Sequence, residues 1–96
     1  MSVLQTNELG VLTDALTSFV LAFESTSDAK RKHHMQKRMS GCYDQALHNA
    51  KKAEQEAREY HRLHNQLRVE HFGLEAAKWR LIAAAVLKVM ELVEND

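Results

Sequence analysis

Apolar residues recur at helical intervals along almost the whole chain. Leu9, Leu12, Leu16, Phe19 and Phe23 follow one another at three, four, three and four residues, with Asn7, Asp14, Thr17 and Glu24 largely off that line. This is the period of one face of an α-helix. It predicts an amphipathic helix over about 3–24. Ser2 followed by Gln5 has the spacing of a capping box, and Thr6 offers a second N-cap. Gly10 inside the pattern costs about 1 kcal/mol relative to alanine. That cost is either tolerated or offset by a neighbour packing closely there.

Ser25-Thr26-Ser27-Asp28 interrupts the pattern. Such side chains compete for backbone hydrogen bonds and favour caps and turns, so Ser27 is the expected N-cap of a second helix. This helix is predicted over about 28–72, a stretch without proline and with one glycine, Gly41. Acid-to-base pairs at i,i+4 support it: Asp28–Lys32, Asp44–His48 and Glu54–Arg58, with Lys52–Glu56 in the weaker order. A thin apolar seam runs through Met35, Met39, Cys42, Ala46, Ala53, Tyr60, Leu63 and Leu67. Ala46, Ala50, Ala53 and Ala57 would let another helix approach closely. The seam keeps its phase across Ser40-Gly41, so the helix is expected to run through; at roughly 65 Å it is too long for a compact ball.

A weaker break at Gly73 leads to a third helix over about 74–94. There Phe72, Ala76, Trp79, Ala83, Val86, Met90 and Val93 form an unbroken four-three stripe. Leu74, Leu81, Ile82, Leu87, Val89 and Leu92 cover much of the remaining surface, and a helix that is apolar nearly all round must be buried nearly all round. The expected fold is all-α, a single domain over 1–96. Three helices with a long central one complete their bundle by dimerisation; the alternative is a four-helix bundle broken at Gly41. Trp79, Ile82, Val86, Val89, Met90 and Val93 are the expected self-association residues.

Composition adds an asymmetry. The chain of 96 residues carries 13 Lys and Arg against 13 Asp and Glu. Yet positions 28–71 hold ten Lys or Arg, six acids and all six histidines, so the middle is basic and both ends mildly acidic. That suits ends folded back on the middle, or an acidic partner. Cys42, the one cysteine, excludes an internal disulfide and fits a reducing, cytoplasmic setting. The N-terminus lacks the basic start of a signal peptide, and Leu81–Val93, broken by Lys88 and Glu91, is too short and too charged for a membrane span.

The strongest local anomaly is Lys30, Arg31, Lys32, His33 and His34 followed by Lys37 and Arg38. Cations are disfavoured near a helix N-terminus, so the cluster invites a functional reading as a partner- or anion-binding patch of Lys30, Arg31, Lys32, His34, Lys37 and Arg38. The plainer reading pairs these cations with Glu8, Asp14 and Glu24. His61, His64 and His71 lack the further ligands a metal needs, although six histidines could make the region pH-sensitive. Cys42 is read as an inert seam residue and Trp79 as core. Met39-Ser40-Gly41 lacks the tryptophan of the Trp-x-Gly turn in small helical-hairpin secretion substrates, so that family is not assigned. No catalytic constellation or cofactor motif is present. These features point to a non-enzymatic interaction protein (an adaptor, a chaperone or an inhibitor) that binds an acidic protein surface through its basic central helix and forms a homodimer. The alternatives are a nucleic-acid-binding regulator using the same patch and, more weakly, a histidine-based metal or pH sensor.

Overall fold

A computed structural model of the chain describes residues 5–94. It contains three helices: α1 over Thr6–Ser25, α2 over Ala29–Arg62 and α3 over Gln66–Glu94. The all-α, three-helix expectation holds. The capping-box residue Ser2 lies outside the described residues, and Gln5, with extended φ and ψ, precedes the first helical residue, Thr6. Between α1 and α2 the cap is Asp28, not Ser27: its carboxylate accepts from the Lys30 backbone N–H at 3.0 Å.

α2 continues through Ser40-Gly41 as an uninterrupted helix of 34 residues, about 51 Å long. A break there, and with it the four-helix alternative, is absent. The second break falls at Leu63–Asn65, about ten residues ahead of Gly73. Its backbone bonds explain why. His64 N–H donates to the His61 carbonyl at 3.1 Å and Asn65 N–H donates to the Tyr60 carbonyl at 2.9 Å, the paired bonds of a Schellman motif. His64 takes the left-handed conformation, φ 58°, at the position where glycine usually sits. Asn65 then caps α3, its side-chain oxygen accepting from Arg68 N–H at 3.3 Å. Gly73 has no capping neighbour and stays helical within α3.

α2 and α3 form a long antiparallel hairpin, and the molecule measures 55 × 25 × 16 Å along its principal axes. Tyr60 stacks on Phe72 near the connection, and Glu54 pairs with Arg80 further along. Continuing that register places Ala46 opposite Val86 and Met39 opposite Val93, all four buried. The seam on α2 follows Met39, Tyr43, Ala46, Ala50, Ala53, Ala57 and Tyr60, every one buried or half-buried. Its three-four alternation is unbroken, and it differs from the expected seam in three places. Cys42 is exposed, because the stripe passes through its neighbour Tyr43. Leu63 and Leu67 are 59% and 80% exposed, because the helix ends before them and the chain reverses. On α3 the expected stripe holds at every position from Phe72 to Val93.

α1 runs alongside α3 in the same direction and packs mainly on it. Glu8 bonds to Lys78, while Leu12 and Ala15 sit beside Ile82, and Leu16 and Val20 beside Val89. Phe23 is buried near the Thr26–Asp28 connection, stacked on Phe19. A Cβ at Gly10 would meet nothing within 4 Å, so no close neighbour compensates for that glycine. The predicted self-association residues are used inside the chain. Val86, Val89 and Val93 are buried against α1 and α2, and Trp79, Ile82 and Met90 are half-buried. The surface that α3 leaves open is a different one, with Leu74, Leu81 and Leu92 at 61%, 42% and 59% exposure.

Candidate interaction surface

The outward face of α2 is set by the seam on its opposite side. Lys30, His34, Lys37, Gly41, His48 and Lys52 lie at spacings of four, three, four, seven and four residues. Those intervals keep them on one face of the helix, about 33 Å from end to end. On this face, Lys30, His34 and Lys37 belong to the predicted cluster, and Gly41, His48 and Lys52 extend the line. Arg31 and Arg38 flank it, and Lys30, Arg31, His34, Lys37, Arg38, His48 and Lys52 are all exposed. Asp44 is the single acid between Ala29 and Ala53.

Lys32 is separated from the others. Counting back from Met39 by three and then four residues reaches Gln36 and Lys32, so Lys32 belongs to the inward face. Its ammonium lies 5.1 Å from the centroid of the Phe23 ring. This cation–π contact helps hold the end of α1 to the start of α2 and leaves Lys32 half-buried.

The acids expected to neutralise the cluster do not reach it. Glu8 accepts from Lys78 at 2.9 Å, and among the described residues neither Asp14 nor Glu24 makes a salt bridge. Glu54, expected to pair with Arg58 in its own helix, bonds instead to Arg80 across the hairpin at 2.6 Å. The hydrogen bond from Lys78 holds the Glu8 carboxyl below its ordinary pKa of 4.5, and the same bond raises Lys78 above 10.5. The bond from Arg80 likewise lowers Glu54 and raises Arg80. Among the described residues, no cation of the α2 cluster belongs to a salt bridge. By the register of the hairpin, Ala29–Met35 lie past Glu94, the last described residue of α3.

The histidines do not converge. His61 is near the end of α2, His64 lies in the connection and His71 is on α3. No group of three or more His, Cys, Asp or Glu side chains suited to a metal ion occurs among the described residues. A groove of about 400 Å³ between α2 and α3 is lined by Asn49, Lys52, Glu56, His71, Glu75 and Trp79 among others. Trp79 therefore combines core packing with one side open to the groove. No described helix is long and apolar enough to cross a membrane.

The inward position of Lys32 was readable from the sequence by continuing the three-four count backwards from Met39. The extension of the basic face to His48 and Lys52 follows from the same count forwards. Comparison of the chain with protein-family models, with curated proteins and with solved structures finds no match.

Proposed function

We propose that this is a small, non-enzymatic interaction protein whose α2 docks on an acidic surface of a partner protein. The observation that carries this reading is the outward face of α2. Between Lys30 and Lys52 it gathers cations that form no salt bridge among the described residues, while the carboxylates of Glu8 and Glu54 are engaged with Lys78 and Arg80. Unpaired cations on one continuous helical face can steer an acidic partner into place and set its register. Both tyrosines of α2, Tyr43 and Tyr60, are turned toward the hairpin seam and half-buried. The face therefore offers no aromatic platform for stacking single-stranded bases, which favours protein over nucleic acid. The exposed, lone thiol of Cys42 suits a reducing compartment such as the cytoplasm.

The test is a calorimetric titration of the full chain with an acidic polypeptide (polyglutamate) and, separately, with duplex and single-stranded oligonucleotides. Binding of the polypeptide should fall about tenfold or more in the variant Lys37→Glu/Arg38→Glu and remain near wild type in Lys32→Gln. Oligonucleotide binding that is the tighter of the two, and that collapses by orders of magnitude between about 50 and 200 mM salt, would transfer the face to nucleic acid. Equal binding by wild type and the Lys37/Arg38 variant would remove it from either role.

A further inference from the structure

The apolar strip left open on α3 has an order of its own. Leu67, Leu74, Leu81, Ala85 and Leu92 are spaced by seven, seven, four and seven residues and so share one face. Glu70, Ala77 and Lys88 lie on the same side, four residues before Leu74, four before Leu81 and seven after Leu81. The leucines are exposed, Leu67 to 80%. Glu70 and Lys88 are exposed as well and form no salt bridge among the described residues; Glu70 only accepts a long 3.4 Å bond from the Gln66 side chain of its own helix. These two charges lie within the strip, just inside Leu67 and Leu92, 18 residues apart, which is about 27 Å along the axis.

Read in reverse, the strip complements itself. When a second α3 is laid against it antiparallel, with Glu70 opposite Lys88 of the second copy, the other positions fall into place. Ala77 lies opposite Leu81, and within one residue of the same register Leu67 comes level with Leu92 and Leu74 with Ala85. Large residues face small ones through the middle, and opposite charges flank that middle, just inside the Leu67 and Leu92 pairs. A parallel arrangement would instead set Glu70 against Glu70 and Lys88 against Lys88. We infer that the occupant of this strip is a second copy of the chain, paired antiparallel through the outer face of α3 about a two-fold axis near the level of Trp79. A self-complementary patch of this kind is what a two-fold interface requires. The pairing goes beyond the partner-docking role of α2. It uses other residues, so either can fail without the other.

The test is sedimentation equilibrium of the full chain and of three charge variants. The wild type should sediment at twice the 11.0 kDa chain mass. Glu70→Lys and Lys88→Glu each turn two attractive contacts into two repulsive ones, and each should weaken the dimer by about tenfold. The double variant Glu70→Lys/Lys88→Glu restores opposite charges at both contacts and should return to within about threefold of wild type. Both residues are exposed, and unchanged helicity by circular dichroism would confirm that the variants fold. A monomeric wild type overturns the inference. So do single variants that associate normally, or a double variant no better than the singles, since either result would mean that any dimer is held through another face.

Discussion

The rings of Tyr60 and Phe72 are parallel to within 2°, with centroids 5.6 Å apart. They face each other across the α2–α3 reversal, three residues from its nearer end and seven from its farther one. Arg68 adds its guanidinium carbon 5.2 Å from the Tyr60 ring. This cluster fixes the register that the rest of the hairpin inherits. Tyr60→Ala removes a half-buried ring and its stacking partner's contact, and should lower stability by about 2 kcal/mol. Tyr60→Phe should be close to neutral, because no hydrogen bond of the hydroxyl enters the cluster. Urea denaturation of the two variants checks both expectations.

Ala50 is completely buried in the α2–α3 seam, flanked by Ala46 and Ala53 at 2% and 7% exposure. Three alanines in succession on the inward face bring the two backbones close together. Ala50→Leu places three extra carbons where no space is reserved, and should cost about 1–3 kcal/mol. Gain of stability in the same denaturation experiment would show the seam to be looser than its burial implies.

His64 and Gly41 call for opposite changes. His64 holds a left-handed φ of 58°, which a side chain disfavours. His64→Gly should raise stability by about 0.5–1 kcal/mol once the extra freedom of glycine in the unfolded chain is subtracted. Gly41 lies inside α2 with nothing within 4 Å of where its Cβ would be. Gly41→Ala should raise stability by about 1 kcal/mol. Thermal melts of both variants measure the shifts; because the sites are far apart, the two gains should add.

The Glu8–Lys78 bond makes the docking of α1 depend on pH at both extremes. Glu8 titrates below its ordinary 4.5 in the folded chain, so its contribution is present above 4.5 and is lost as pH falls through the lower folded value. Lys78 titrates above its ordinary 10.5, so its contribution is present below 10.5 and is lost as pH rises through the higher folded value. The stability difference between wild type and Lys78→Gln should therefore be constant across neutral pH and shrink toward zero in acid and in strong base. Urea midpoints of the two proteins over a pH series measure it. A difference that persists in acid would show that Lys78 acts through its aliphatic stem.

Much of this architecture was legible in the sequence, and the misreadings have physical causes. The α3 stripe from Phe72 to Val93 is large, apolar and unbroken, so its phase could be read directly. The α2 seam is built largely from alanine, which is cheap on either face of a helix and carries little phase information. Choosing Cys42 over Tyr43 was the consequence. The reversal at Leu63–Asn65 was hidden because histidine occupies the position where glycine would have announced it. A cue was present nonetheless: Asn65 is the one residue of the Ser, Thr, Asp, Asn and Gly group between Asn49 and Gly73. The basic cluster was visible as composition, but its division between an outward face and Lys32 required the phase of the seam. The open strip on α3 was foreseen as surplus apolar surface, while its residues depend on where α1 and α2 come to lie.

α1 rests mainly on one helix, whereas α2 and α3 embrace each other over most of their length. The chain therefore has two tiers of cohesion. Local opening of α1 is expected to cost less than opening of the hairpin, and its amide hydrogens should exchange first. In such an excursion the Ile82 and Val89 side of α3 meets solvent, and Lys32 loses the Phe23 ring that holds it. The helix that looks like a cover is thus also a latch, joining the apolar side of the molecule to its charged one.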